Sequence, residues 1–357
     1  MARLRILHVG KYYYPCRGGV EQAVRTLAEG QRERHDVEVV AANESRGTLV
    51  EYINGVKVTR LGTWFNFFGA PICPGLWNYL RGNAFDIIHI HLPNPFAEMI
   101  YLAARPRGRL VVSYHSDIVR QRVLFWFYRP VHHRFLAKAF RIIAATRNNI
   151  GFSATLCRHE GRCEVIGYGV RLEDFAGVNR ERVREIRDRF GDRVVLCVGR
   201  LVPYKGFEYV IRAMVHVRGA HLVIIGDGPL KKSLRGIAAG QGLAGRVTFL
   251  DLAEDIVPYY YACDVFVLPS VASNEAFGIV QLEAMAAGKP VVNTALLSGV
   301  PEVSLSGVTG LTVPPGNEKD MARAVNVLLD DDRLRAEMGE AGRARVLTNG
   351  PERTIPH

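Results

Sequence analysis

Short, nearly continuous apolar runs alternate along the whole chain with segments whose apolar residues recur three and four positions apart. In the first half the runs at 3–9 (RLRILHV), 37–41, 56–61, 86–91 (DIIHIH), 109–114 (RLVVSY), 141–146 (RIIAAT) and 163–166 read as strands, and 19–34, 95–105, 120–140 and 147–156 read as helices. The second half repeats the rhythm. Its strands read at 193–198 (RVVLCV), 221–225 (HLVII), 246–250, 264–268, 290–293 and 311–313, and its helices at 206–217, 229–240, 254–262, 276–287, 317–329 and 331–346. Strands that are apolar at every position are buried on both faces, which requires helices above and below a parallel sheet. A polar stretch, 171–192, separates the two series and reads as a loop followed by a charged helix. The pattern therefore predicts an N-terminal Rossmann-like domain over 1–170, a linker with the first helix over 171–192, and a C-terminal Rossmann-like domain over 193–357. In such sheets ligands bind beyond the carboxyl ends of the strands, so two facing domains would enclose a cleft.

Composition narrows the class. Apolar residues make up 48% of the 357 positions and charged residues 23%, as in globular proteins. No run is long enough to cross a bilayer, and the N-terminus shows no cleavable signal pattern. The six cysteines form no CxxC pair, which fits a reducing compartment rather than a disulfide frame or zinc site. Net charge is +11. It is uneven: residues 1–178 hold 24 Lys/Arg against 14 Asp/Glu, or +10, while the remainder is nearly neutral. A basic N-terminal half suggests an anionic partner there.

The candidate chemistry sits where strands end. Gly18 and Gly19 in KYYYPCRGGVEQAV open a helix and could offer backbone N–H groups to a phosphate, although a plain glycine turn has the same sequence. His115 follows the strand at 109–114 and could hydrogen-bond a substrate, or be structural. His89 and His91 alternate on a strand and read as core or shelf residues. Arg200 and Lys205, in GRLVPYKG, place two cations between a buried strand and a helix start, which suits a diphosphate. Gly226 and Gly228, in GDGPLKKSL, form a turn that could hold a base edge. Finally, SNEAFGIVQLEAMAAGKP carries Glu275 and Glu283 eight apart, with the helix expected to start near Phe277–Gly278 and to end at Gly288-Lys289-Pro290. Free N–H groups around Gly278, Ile279 and Val280 would favour an anion, and the two carboxylates would accept from hydroxyls. Hydroxyls at both ends with phosphates between them describe a nucleotide sugar; an ordinary amphipathic helix with two solvated glutamates is the alternative.

Taken in order, EAFGIVQLE, GRLVPYKG, IIGDGP and GGVE resemble the motifs of retaining glycosyltransferases of family 4, over nearly the whole chain from residue 3 to about 345. The resemblance implies an α/β fold of two Rossmann-like doubly wound domains facing a central cleft, the GT-B architecture. It also implies roles. Arg200 and Lys205 would neutralise the departing diphosphate, Glu275 would contact donor-sugar hydroxyls and Glu283 the ribose. Backbone N–H groups at Phe277, Gly278, Ile279 and Val280 would help hold sugar and phosphate, His115 would lie near the transferred sugar, and Gly18 and Gly19 would border phosphate and acceptor. No metal or other cofactor would be needed, and no DxD motif stands in a metal-site context. The reaction would stabilise a leaving nucleoside diphosphate and an oxocarbenium-like sugar, by front-face substitution in which the donor phosphate helps deprotonate the acceptor.

YHSDIVRQ and LPNP are similar to bacterial polysaccharide mannosyl- and rhamnosyltransferases of this family, so GDP-mannose is the favoured donor and a UDP-sugar the alternative. The segment RQRVLFWFYRPVHHRFLAKAFR mixes cations with aromatics and reads as an interfacial helix that Pro130 kinks or breaks, an ordinary helix packing Phe and Leu inward with Arg outward being the alternative. This predicts a lipid-linked or oligosaccharide acceptor, an anionic membrane surface as partner, and a cytoplasmic chain peripheral on the inner face of the membrane. Two departures from the family stand out. The end, ARVLTNGPERTIPH, lacks an apolar period for a closing helix, and Asp251 stands where relatives commonly have glycine. A non-catalytic member with an altered C-terminus, an epimerase or phosphorylase on the same fold, and a nucleic-acid binder are the rival readings. The last lacks a binding motif.

Overall fold

The computed structural model describes residues 2–16, 18–117, 122–251 and 255–348, and of 122–125 the backbone alone. The chain divides into two compact units, with the break between Tyr168 and Gly169.

The first unit is built on ten strands: β1 (Arg5–Val9), β2 (Asp36–Ala42), β3 (Leu49–Ile53), β4 (Val56–Leu61), β5 (Phe65–Phe67), β6 (Ala70–Ile72), β7 (Ile87–Leu92), β8 (Arg109–Tyr114), β9 (Arg141–Ala144) and β10 (Cys163–Val165). Eight of them form one sheet in the order β10-β9-β8-β7-β1-β2-β4-β3, parallel throughout except for the edge strand β3. Leaving β3 aside, the chain runs outward from β1 through β2 to β4, then returns to β7 on the other side of β1. This reversal is the topological switch point beside which doubly wound sheets bind ligands. One face of the sheet is aliphatic: Leu7, Ile88, Ile90, Leu110, Val112 and Ile142 pack with Leu80, Phe135 and Leu136. On the other face, Ile6, Val37, Val39 and Val58 pack under Val24 and Ala28 of the helix Gly19–Gln31. The neighbouring positions on that face are His8, His89, His91 and Ser113, all buried.

The second unit holds six parallel strands: β11 (Val194–Val198), β12 (His221–Ile225), β13 (Val247–Leu250), β14 (Val265–Val267), β15 (Val291–Thr294) and β16 (Gly310–Val313). Their order, β13-β12-β11-β14-β15-β16, again reverses between β11 and β14. Every residue of β11 and β14 is buried, which is why their sequences showed no alternation. The core joins Val195, Cys197, Leu222 and Ile224 to Phe207, Ile211 and Leu328 from flanking helices.

Several expectations shift. β3 and the hairpin of β5 and β6 carried no usable period, because β3 is a largely exposed edge and β5 is three exposed residues; the short helix Gly75–Gly82 was also not anticipated, although Leu76 and Leu80, buried four apart, give it a helical period. The expected helix 147–156 stops at Phe152 and is followed by a 3₁₀ segment, Leu156–Arg162. Pro130 was expected to kink or break its helix, but Arg122–Leu136 continues through it. The carbonyl that Pro130 leaves without an intrahelical donor belongs to Trp126, whose side chain is 66% exposed, so water can supply the bond. The polar stretch 171–192 yields the helix Arg180–Phe190, capped by Asn179 Oδ1. The last described helix is Asp332–Thr348; the rest of the C-terminal segment singled out in the sequence lies outside the described residues.

Truncating Ile224→Ala, a fully buried side chain of β12, is expected to destabilise the second unit by about 2–5 kcal/mol. Urea unfolding followed by circular dichroism measures this; a loss below about 1 kcal/mol would mean that the site collapses around the missing atoms.

Candidate functional site

At the switch point of the second unit, three segments leave the strand ends together. After β11 come Gly199 and Arg200, then a 3₁₀ turn, Pro203–Lys205, and Gly206 at φ 65° heading the helix Phe207–Ala213. Gly206 cannot be replaced without cost: a Cβ there would lie 2.2 Å from the carbonyl oxygen of Pro269. That contact welds the turn to the segment following β14. Gly226 and Gly228, after β12, press the same way against the carbonyls of Gly199 and Leu201, at 2.0 and 2.5 Å from a Cβ. The glycines of GRLVPYKG and GDGP thus bring backbone into contact with backbone.

The result is a buried ion pair between Lys205 Nζ and Glu275 Oε2. Ser270 Oγ donates to the same carboxylate at 3.0 Å, and Thr294 Oγ1 donates to the carbonyl of Ser270 at 2.6 Å. Burial pulls the Lys205 pKa down, but the adjacent carboxylate more than offsets this and the pKa is raised. Lys205 is therefore a fixed cation. Arg200 is exposed, and its guanidinium makes no hydrogen bond or ion pair among the described residues.

The helix after Glu275 starts one residue later than expected. Gly278 is its N-cap, at φ 74°, and the helix spans Ile279–Ala286. A Cβ on Gly278 would lie 2.6 Å from Leu268 Cδ2, so the glycine is required both by its dihedral and by its neighbour. Phe277 lies before the helix and is buried, whereas the amides of Ile279 and Val280 belong to the first turn, where no intrahelical acceptor exists. Glu283 is one turn further on. Tyr260 Oη donates to its Oε2 at 2.5 Å. Burial raises the Glu283 pKa, Tyr260 opposes this and the charge of Asp174 adds to it.

A polar network that the sequence reading missed anchors this helix start. Gln281 donates to the Phe277 carbonyl at 2.9 Å, Asn293 donates to Gln281 at 2.9 Å, and Thr312 donates to Asn293 at 2.7 Å. Gln281 and Asn293 are fully buried. The visible signal was a Gln and an Asn at otherwise apolar positions of a helix and a strand, β15. Asp251, the departure noted after β13, shares Lys231 with Asp227.

In the first unit, Gly18 is the extended N-cap of the helix Gly19–Gln31, so both glycines stand at a helix start as expected. His115 directly follows β8. It is buried, and both ring nitrogens are engaged: Nε2 lies 3.1 Å from His91 Nδ1, and Nδ1 contacts the hydroxyl of Tyr168. Burial lowers its pKa to about 4, so the ring is neutral near pH 7. His91 Nε2 lies 3.0 Å from His8 Nδ1. His8, lowered to about 4 by burial against the raising effect of Gln31, reaches Gln31 Oε1 at 2.8 Å. His8, His89 and His91 are the grouping among the described residues whose nitrogens lie close enough, within 4.8 Å, to share a metal.

Comparison with known proteins accounts for both units. Residues 17–174 match the model described as Glycosyltransferase Family 4, and 179–345 match Glycosyl transferases group 1. The chain is 32% identical over 350 residues to the O-antigen chain mannosyltransferase C of Escherichia coli, covering 96% of this chain and 93% of that one. It is 40% identical to the GDP-mannose-dependent alpha-(1-6)-phosphatidylinositol monomannoside mannosyltransferase of Mycolicibacterium smegmatis, covering 98% and 95%. Among solved structures, Anabaena HepE in complex with UDP and glucose superposes with a TM-score of 0.80 at 22% identity, covering 98% of this chain and 96% of that one. That likeness shows the fold, which is GT-B.

His8 and His115 give the protein an acid limit. Their folded pKa values, about 4, lie below the unfolded value of 6.5. The unfolded chain therefore binds more protons between these values, and stability falls as pH drops through that window. Denaturant midpoints are expected to be flat above roughly pH 6.5 and to decline steadily towards pH 4. A midpoint unchanged down to pH 4.5 would contradict the buried neutral assignment.

Proposed function

The chain belongs to glycosyltransferase family 4, and we propose that it is a retaining, metal-independent transferase that moves mannose from GDP-mannose to a lipid-linked or polysaccharide acceptor at a membrane surface. The observation that carries this reading is the Lys205–Glu275 pair at the switch point of the second unit. A fixed ammonium there supplies the charge a departing diphosphate requires, in place of a divalent cation. The Ile279–Ala286 helix start adds two unclaimed amides, and Arg200 a second cation. When a diphosphate draws Lys205, the Glu275 carboxylate, still held by Ser270, is released to accept from sugar hydroxyls. Glu283, oriented by Tyr260, keeps one oxygen for the ribose.

Mannose is favoured because the two relatives above are named mannosyltransferases, one of them GDP-mannose-dependent. The membrane-surface acceptor is favoured by the first unit. Trp126 and Phe127 are 66% and 69% exposed, beside Arg129. Aromatic residues flanked by cations partition into the interface of anionic bilayers. No helix among the described residues is long and apolar enough to cross a membrane. The proposed reading puts the reaction at the cytoplasmic face of that membrane.

Glu275→Ala is expected to lower kcat for mannosyl transfer by 10²-fold or more while changing the affinity for GDP by less than about threefold; Lys205→Ala is expected to weaken GDP binding at least about tenfold. Transfer from GDP-mannose in the presence of EDTA, with the product anomer read by proton NMR, tests the reaction. Inversion of the anomer, or transfer from UDP-sugars alone, would overturn the corresponding part.

A further inference from the structure

The buried histidines of the first unit form a single hydrogen-bonded file. Tyr168 Oη, His115, His91, His8 and Gln31 Oε1 follow one another, the three imidazoles joined nitrogen to nitrogen and the two ends closed by oxygens, with stacked rings 5.3 Å apart at the His8–His91 and His91–His115 steps. The file crosses the switch point, since His8 is on β1, His91 on β7, and His115 directly follows β8. The fold does not require His8 to be polar: on the same face Val39 fills the adjacent strand β2 and Val58 the next one, β4. Fully buried imidazoles in a sheet interior are costly unless every nitrogen is satisfied.

A neutral imidazole has one donor and one acceptor nitrogen, so one end of the file sets the polarity of all of it. The structure turns the amide oxygen of Gln31, rather than its NH2 group, toward His8 Nε2; with the amide so assigned, His8 donates there and its Nδ1 is bare. His91 Nε2 must then donate to His8 Nδ1, His115 Nε2 must donate to His91 Nδ1, and His115 Nδ1 is left to accept from Tyr168 Oη. Burial keeps each member neutral, lowering the three histidines and raising Tyr168. His89 stands beside the file, tied to Ser113 Oγ at 2.8 Å.

We propose that Gln31, His8 and His91 are positioning residues that hold His115 as the Nε2–H tautomer, so that its Nδ1 is an acceptor for a hydroxyl. Tyr168 supplies that hydroxyl in this structure, and a hydroxyl of the transferred sugar is the ligand of matching chemistry. This last step rests on the transferase reading above; the tautomer does not.

The test records long-range ¹H–¹⁵N correlations of the imidazole nitrogens in the ¹⁵N-labelled full chain at pH 7.5, without donor. Nε2–H patterns are expected for His8, His91 and His115. Gln31→Glu keeps an acceptor at the end of the file and should keep these patterns. Gln31→Lys offers donors alone and should convert all three to Nδ1–H, lowering kcat about tenfold or more with donor KM within about twofold. An Nδ1–H pattern in the unaltered protein, or tautomers indifferent to residue 31, overturns the proposal. So does a stoichiometric metal found by elemental analysis of the purified protein, because coordination by His8, His89 and His91 would take the lone pairs on which the file depends. Since the spectra need no turnover, a chain that transferred no sugar would still show whether the file has this polarity.

Discussion

A lysine ammonium and a glutamate carboxylate taken out of water together attract each other strongly, but each has lost its hydration. Lys205 and Glu275 meet that requirement only because the backbone around them is drawn unusually close. Gly206 lets its turn touch the Pro269 carbonyl, and Gly226 and Gly228 let the following turn touch those of Gly199 and Leu201. Each contact is between main chains, so no side chain can relax to make room for a larger residue. Ser270 then completes the carboxylate's hydrogen bonding, and Thr294 fixes Ser270. The catalytic reading of the second unit follows from this arrangement: a cation whose charge is secured, a carboxylate held in readiness, and a helix start aimed by Gly278 and the Gln281–Asn293–Thr312 network.

The first unit solves a different problem with the same topology. Its sheet has one aliphatic face and one face where valines give way to histidines at the switch point. Hydrogen bonds satisfy that polarity internally, from Gln31 through His8 and His91 to His115 and Tyr168. His115 is therefore not a solvated base. It is the last imidazole of a buried neutral file whose histidines are held by burial below their ordinary pKa.

The fold and the motif positions were legible in the sequence because they rest on strongly patterned features. All-apolar strands such as VVLCV and HLVII announced parallel sheets, and the glycines and charges at their ends marked the site. What could not be read depends on packing in three dimensions. β3 and the β5–β6 hairpin lie at exposed edges without a period. Pro130 is accommodated at a turn where Trp126 is exposed, so water can supply the bond the proline cannot. The pairing of Lys205 with Glu275 joins residues seventy positions apart, and nothing local states that they meet. His89 and His91 read as core or shelf residues and are in the core, but their connection to His8 and Gln31 requires knowing that β1 and β7 are neighbours.

The central claim, that the second unit carries a metal-free diphosphate site centred on Lys205, is tested most directly by isothermal titration of GDP-mannose into the full-length protein in EDTA, followed by back-titration with magnesium. The account predicts saturable binding at one site without metal, unchanged when magnesium is added. Binding that appears only with a divalent cation would contradict it, because the buried ammonium would then not be the charge that holds the diphosphate.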